Sequence, residues 1–399
     1  MHKLFVTRFL SGRTMRRGAA VPLVAVSSVV LIGMAALAID SGVLYQARTE
    51  MQATADAAAL AAASELVAKR TQGHDLAAAI TAARERAVNL AGRNQIMGRA
   101  PILEPNLANT PDGDVVVGYL SNPDDLRQPL SFAETDHYNT ILVRVRRNEI
   151  RNGPVDLFFA NIFGIGSANM EAQAAAIAEQ GALGFKAPDS SKGQLSPLLP
   201  LSLHIDAWRN LLAGSVTNGD NYRYDPDTKR VTSGSDGVYE LNIYPGSGTD
   251  SQKLTPGNFG TVDIGNPNNS TADLSRQIRY GPNAADFAYF GGKLELGPDG
   301  TVQLNGDTGI SAGIKDDLEA IKGQPRIIPL FNRVTGNGNN SMFTVVGFAG
   351  IRIVNVRLTG SMKTKEVMIQ PAFVCDETVI SGGTQQGESF IYGPVRLVR

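Results

Sequence analysis

The sequence holds little from which a redox, metal or hydrolytic centre could be assembled. Cysteine occurs once, at Cys375, and histidine four times in 399 residues. A single cysteine excludes an intramolecular disulfide framework and any cysteine-based zinc site. It is neutral about an oxidising compartment, since it says only that the fold does not use one. His2, His74, His137 and His204 share no ligand spacing with one another or with acids. A charge excess is missing too, because 37 basic residues face 38 acidic ones. The Lys and Arg form no patch with interleaved aromatics beyond the first 18 residues. No nucleic-acid partner is therefore expected.

Motifs for chemistry are equally sparse, and no cofactor is expected. "GISAG" at 309–313 has the nucleophile-elbow pattern around Ser311. That architecture places its acid and then its histidine after the serine, and no histidine follows His204. "GDNYRYDPDT" offers Asp220, Asn221, Asp225 and Asp227 as oxygen ligands for Ca²⁺, but Asx residues favour turns for local reasons. "GSGTDSQKLTPGNFG" lacks the lysine spacing of a phosphate loop. Cys375, between "FV" and "DE", reads as a buried structural thiol.

What the chain does have is at its front. From Ala19 to Ile39 no side chain is ionisable, a length close to the roughly 20 residues that cross a bilayer as a helix. Lys3, Arg8, Arg13, Arg16 and Arg17 precede this run with no acid among them. The positive-inside bias then keeps residues 1–18 in the cytoplasm and exports everything after Asp40. A cleaved secretory signal is the rival reading, since "AALAID" contains a small-x-small pattern. A buried core helix is a third, although five unopposed positive charges directly before it argue against that.

The helical pattern continues past the apolar run. No proline lies between Leu23 and Pro101, and Gly42 costs only about 1 kcal/mol in a helix. One helix from Ala19 to about Lys69 is expected, with its second part projecting as a stalk. Gln52 and Asp56 stand at i,i+4, so their side chains can meet. The alanines from Ala53 to Ala63 either let another helix approach closely or are merely good exposed helix formers. A second helix over 75–93 is expected to fold back. Asp75 would be its N-cap, Leu76, Ile80, Ala83, Ala87 and Leu90 its apolar stripe, and Gly92 and Asn94 its end.

These front residues resemble the N-terminal segment of TadG-like proteins (the TadE/TadG family) of tight-adherence (Flp) pilus assembly systems. The shared features are Arg17-Gly18 before the membrane helix, Asp40-Ser41-Gly42 at its far end, and Gln52 through Asp56 to Ala61 beyond. Weaker likeness extends to "VDLFFANIFGIGSANMEAQAAAIAE", "TPGNFGTVDIG" and "RIIPLFNRVTGNGNNSMFTVVGFAGIRIVNVRLTG". The resemblance implies a pilin-like anchored helix whose packing residues are Arg17, Gly18, Asp40, Gly42, Gln52 and Asp56. It implies a lipid bilayer and pilin-like or other pilus assembly proteins as partners, and a homo- or hetero-oligomer through the alanine-rich helix. Two departures matter. Pilin-like relatives cut after a glycine carry glutamate five residues on, where this chain has Leu23, so the anchor is expected to stay. The Asp-x-Ser-x-Ser metal triplet of von Willebrand A modules is missing, because Asp189, Ser190 and Ser191 are contiguous.

Beyond residue 100 the period becomes strand-like. "DVVVGYL" (114–120), "TILVRVRR" (140–147) and "NMEAQAAAIAE" are expected to make a three-stranded sheet with helix 75–93 on one face. "DLFFANIFG" reads as a short turn of helix ended by Gly164. The Gly, Pro and Ser of 181–199 read as a linker. Past it, hairpins are expected around Pro226-Asp227 and Gly297–Gly300, with one helix at "AGIKDDLEAIKG". "NPNNSTADLS" reads as a helix cap or an exposed loop. The whole is expected to be α+β. It would comprise a basic tail (1–18), a transmembrane helix (19–39), an exported stalk with a small α+β module (40–180), the linker, and a mainly antiparallel β domain (200–399), sandwich or barrel. The expected function is non-enzymatic, as an inner-membrane component of such a pilus system. The alternatives are a cell-surface adhesion or binding module on the same anchor and, last, an exported hydrolase using Ser311.

Overall fold

The one proline of residues 20–71, Pro22, sits in the first turn, where no intrahelical N–H bond is lost, so the N-terminal half of the first module becomes one helix. The computed structural model describes residues 20–125, 127–133, 135–244, 259–266, 270–336, 338–361, 364–382 and 389–398. The basic tail with Arg17 and Gly18, and much of "TPGNFG", lie outside the described residues. Helix α1 runs Ala20–Thr71, 52 residues, or about 80 Å at 1.5 Å per residue. It stops two residues before Gly73, whose φ is +96°. Helix α2, Leu76–Ala91, then folds back along it, and the Asp75 carboxylate accepts the Ala78 amide at 2.7 Å.

Three strands follow: β1 (Val115–Gly118), β2 (Thr140–Arg147) and β3 (Met170–Ile177). They pair antiparallel, with Val115 opposite Val143 and Val143 opposite Ala174. The alternation in β2 does what period-2 geometry requires. Ile141, Val143 and Val145 face the helices, while Leu142 faces a small second core with Val116, Ala175 and Ile177. "DLFFANIFG" is a 3₁₀ turn, Ala160–Phe163, closed by Gly164 at φ +83°.

Two details of this module differ from the sequence reading. The helix lying across β2 and β3 is α1, not α2, which packs on α1 and meets the sheet at β1. Ala83 and Ala87 of the anticipated stripe are fully buried, but Ala79 and Ala91 complete the buried alanine row, and Leu76, Ile80 and Leu90 are only partly covered. The reason is steric. Helices at the short end of the usual 8–10 Å spacing leave room for methyl groups on the contact line, and longer side chains move to its flanks.

The body begins inside the Gly/Pro/Ser-rich stretch expected to be a linker, where β4 (Ala182–Lys186) forms. Its principal strands beyond this are β5 (Leu201–His204), β6 (Phe259–Val262), β7 (Lys293–Glu295), β8 (Val302–Asp307), β9 (Pro325–Thr335), β10 (Ser341–Arg357), β11 (Glu366–Pro371), β12 (Val379–Ser381) and β13 (Arg396–Leu397). Strands β10, β8, β6, β5 and β9 form a ring that closes where β9 pairs back onto β10. All its pairings are antiparallel except β5 with β9, where Leu203 lies opposite Leu330. The body is thus a closed barrel rather than a sandwich. Register shifts near Leu330–Arg333 and Ile353–Asn355 bend the long strands, as bulges do, so that β10 can also carry β11. One core gathers Phe185, Phe331, Phe343 and Phe348, and another gathers Trp208, Leu203, Leu330 and Ile351.

The Gly297–Gly300 turn forms, with the Gly300 amide donating to the Gly297 carbonyl at 2.8 Å. Its flanking strands do not make a hairpin. β7 pairs with β4 and β8 with β10 and β6, because Leu294 and Leu304 are buried by different partners across the phenylalanine core. The hairpin around Pro226-Asp227 is as expected, Tyr222–Asp225 against Arg230–Ser233. The helix expected over 312–323 forms as a 3₁₀ turn, Ala312–Ile314, running into α-helix Lys315–Ala320. Ser270 caps a helix over Thr271–Tyr280, one of the two readings of that segment, while helices Ile205–Leu212 and Ala284–Ala288 were not anticipated. Helix Ile205–Leu212 had a readable signal, with Ile205, Trp208 and Leu211 at helical spacing behind a capping His204.

The C-terminus returns to the first module. β13 pairs with β3, and Arg396 Nη2 bonds Glu179 at 2.6 Å and Asp124 at 3.1 Å. Where α1 ends, Arg352 of β10 donates to the carbonyls of Gly323 (2.9 Å) and Thr71 (3.4 Å). Its guanidinium also lies 3.4 Å from the Tyr224 ring centroid. Burial pushes its pKa down to about 10, so the cation persists at neutral pH.

Candidate functional site

Along α1 the environment changes abruptly. Val21, Leu23, Val24, Val26, Val29, Val30, Leu31, Ile32, Met34, Leu37 and Ile39 are all exposed, and none of the described residues covers that stretch. From Ala47 onward one side of the helix is buried, and from Thr54 every residue except Ser64 is buried or partly covered. A helix that is apolar all round and uncovered matches a hydrocarbon solvent, whereas one wrapped by its own sheet and a second helix is a core element.

Asp40 marks the change. Its carboxylate is buried and accepts the backbone amides of Phe158 (2.9 Å), Phe159 (3.0 Å) and Ala160 (2.6 Å). It therefore caps the 3₁₀ turn that follows. Burial raises its pKa, but the three amides outweigh burial and leave it below the ordinary carboxylate value. The clamp is therefore complete at neutral pH and weakens only as acid protonates the carboxylate.

Twelve residues on, the Gln52 side-chain amide reaches the Asp56 carboxylate at 2.8 Å and the Gln173 carbonyl of β3 at 3.0 Å. The pair ties α1 to an edge of the sheet. Gly42 behaves differently. It is exposed, and a Cβ there would meet nothing within 4 Å. Arg17 and Gly18 lie outside the described residues.

The alanine-rich stretch is covered within the chain. Ala55, Ala58, Ala59, Ala62 and Ala63 share one core with the α2 alanines and with β1, β2 and β3. The sequence left close helix approach and exposure equally open. Close approach holds, and the partner is α2 of the same chain.

Sequence reasoning missed Arg84. It is buried on α2 and faces no carboxylate. Its Nη1 donates to the carbonyls of Pro105, Asn106 and Val115, and its Nη2 to Asn109 Oδ1, each at 2.7 Å. It fixes the loop leading into β1, where Asn106 and Asn109 both take φ +52°. Arg86, two residues on in the same helix, is exposed, so the sequence offered no mark that separates the buried arginine from the surface one.

The residues weighed for chemistry are spent on local structure. Ser311 Oγ accepts the Gly313 amide at 3.2 Å and caps a 3₁₀ turn. His204 uses Nδ1 on the Asp206 amide and Nε2 on the Asn332 carbonyl, each at 3.2 Å. Asp225 accepts the Asp227 amide (2.9 Å) and the Thr228 hydroxyl (2.8 Å), and Asp220 accepts the amides of Asp236 (3.0 Å) and Gly237 (2.8 Å). The first is an Asx turn, and the second ties together two loop segments 16 residues apart. Among the described residues no three His, Cys, Asp or Glu side chains converge as metal ligands. Cys375 is exposed as a residue, contrary to the buried thiol expected, but its Sγ turns inward to the Gly393 carbonyl at 3.7 Å. Desolvation, and secondarily Asp376 and Glu377, push its thiol up to about 11. Alkylation of Cys375 at pH 8 will therefore run roughly a hundredfold slower than that of an ordinary thiol, rising about tenfold per pH unit towards pH 10 as thiolate forms. Mass spectrometry of the iodoacetamide-treated chain measures this.

A cleft of about 500 Å³ lies at the junction of the two parts, lined among others by Arg70, Tyr224, Arg352, Gln370 and Phe373. The Arg70 guanidinium lies 4.0 Å from the Phe373 ring centroid.

These features define a class: a protein on one long helix that is bare and apolar at its start and locked into an α/β module at its end, with a β-barrel body behind. Residues 18–65 match the Flp pilus-assembly TadE/G-like family, and residues 43–178 match the Tad-like Flp pilus-assembly family. Residues 18–178 are therefore similar to the TadE/G-like and Tad-like proteins of Flp pilus assembly, and the match ends before the barrel. No curated protein and no solved structure matches it.

Proposed function

We propose that the chain is a single-pass, non-enzymatic component of a tight-adherence pilus assembly system in the inner (cytoplasmic) membrane. Residues 19–39 cross the bilayer, residues 1–18 stay in the cytoplasm, and the α/β module and barrel stand on the far side. The uncovered apolar run 21–39, continuous with a helix that is buried further on, carries this reading. Asp40, Gln52 and Asp56 hold the helix to its own module. Gly42 is left as the position where a pilin-like helix can approach closely, because the alanine face is already occupied. A reporter fused to the C-terminus and active only outside the cytoplasm tests the topology. Cytosolic activity of that fusion, or a mature chain beginning near Asp40 and free of membrane, would sink it. In the same strain Gly42→Leu is expected to abolish pilus assembly while the chain remains membrane-bound, and Gly42→Ala to retain it.

The second reading, a surface binding module on the same anchor, is favoured by the junction cleft, whose Arg70 and Arg352 side chains lie among aromatic walls.

A further inference from the structure

Beside the foot of α1 the first module carries a hairpin whose tip is apolar and bare. Val155–Asp156 pairs with Ser167–Ala168, and the Leu157 amide donates to the Gly166 carbonyl at 2.9 Å. Between Asp156 and Glu171 no side chain is ionisable. At the tip Phe158, Ile162, Phe163 and Ile165 are 70, 78, 84 and 57 % exposed. A cluster of four large apolar side chains facing water would be a liability in a soluble protein, and such patches mark a contact with something apolar.

Its position says what that contact is. The Asp40 carboxylate grips the amides of Phe158, Phe159 and Ala160 one residue past the uncharged run 19–39. The tip is therefore pinned at the level where α1 leaves hydrocarbon. Tyr45, one turn further along, is exposed as well. Aromatic rings at that depth are the usual interfacial anchors. The clamp also solves a problem for the helix. A carboxylate at the lipid boundary needs donors, and the hairpin supplies three without adding a charge.

We propose that the tip 157–166 is a second membrane contact, an interfacial wedge that enters the lipid surface beside the helix and fixes the tilt of the exported module. It rests on the reading of 19–39 as a membrane span. Phe158, Ile162, Phe163 and Ile165 penetrate to a depth of roughly 5–10 Å, as apolar faces at the headgroup boundary do. Asp40 is the positioning residue.

The test uses the full chain in vesicles of phosphatidylethanolamine and phosphatidylglycerol, with and without brominated acyl chains. Trp208, the only tryptophan, is fully buried in the body and gives a constant background. Phe163→Trp is expected to emit at shorter wavelength than an exposed ring, and to lose roughly half of its added intensity to brominated lipid while resisting aqueous iodide. Leu31→Trp reports the span itself, and Tyr289→Trp, exposed on the body, should respond to iodide alone. Quenching by bromine at Leu31 but not at Phe163, with iodide reaching Phe163, would overturn the wedge and leave the span standing. No bromine quenching at Leu31 would remove the span and the wedge together. Adding Asp40→Ala to Phe163→Trp should open the ring to iodide, and an unchanged response would overturn the positioning role of Asp40.

Discussion

Arg84→Met will loosen the first module by about 3 kcal/mol, because a buried acceptor deprived of a charged donor is costly and no water replaces it. The Pro105 carbonyl loses its guanidinium donor outright. Those of Asn106 and Val115 keep weaker partners, the Asn109 amide at 2.9 Å and Asn106 Nδ2 at 2.9 Å. Asn106 and Asn109 then have less to hold them in the left-handed region. Hydrogen exchange of residues 76–118 in the detergent-solubilised chain measures the loss. Arg84→Lys should fall between wild type and Met, since an ammonium cannot span the same set of carbonyls. Protection equal to wild type in Arg84→Met would mean that the loop is held by its asparagines alone.

Ala59→Asp is expected to cost about 3–5 kcal/mol, the usual toll of an uncompensated buried charge. Ala59 lies on the line where α1 meets α2 and the sheet. Ala53→Asp, on the exposed side of the same helix, should cost less than about 1 kcal/mol, from helix propensity alone. The contrast tests whether the alanine face is an interior or a docking surface. If both substitutions were tolerated in the isolated chain but blocked pilus assembly, α2 would not be the true occupant of that face. Protease resistance and exchange protection of 47–91 distinguish the two.

Much of the first module was legible because its signals are local. The uncharged run to Ile39, the missing proline, the alternation from Thr140 to Arg147 and the Asp75 cap each act within a few residues of themselves. The family-bearing residues were legible for the same reason, but their work was not. Asp40 read as a motif position and turns out to cap a turn 118 residues on. Gln52 and Asp56 were expected to meet; that the Gln52 amide also donates to the Gln173 carbonyl of β3 depended on how the sheet docks. Arg84 was passed over because, beside Arg86 on the same helix, it carries no distinguishing pattern until the loop it serves is in place.

The body was harder because its strands are short and its partners distant. The Gly297–Gly300 turn is a local fact and forms, yet its two strands go to different neighbours.

By itself the sequence determined an unbroken helix, an apolar segment of membrane length, the faces of the first sheet and the poverty of catalytic side chains. These follow from backbone propensity, side-chain period and composition, which need no knowledge of what lies across the fold. Only the tertiary structure decided that α2 rather than another molecule fills the alanine face, that a parallel pair of strands closes the barrel, and that Asp40 holds an apolar hairpin at the foot of the helix. Each of those depends on which distant surface offers the better burial and the missing hydrogen-bond donors, and that choice is made among long-range partners rather than along the chain.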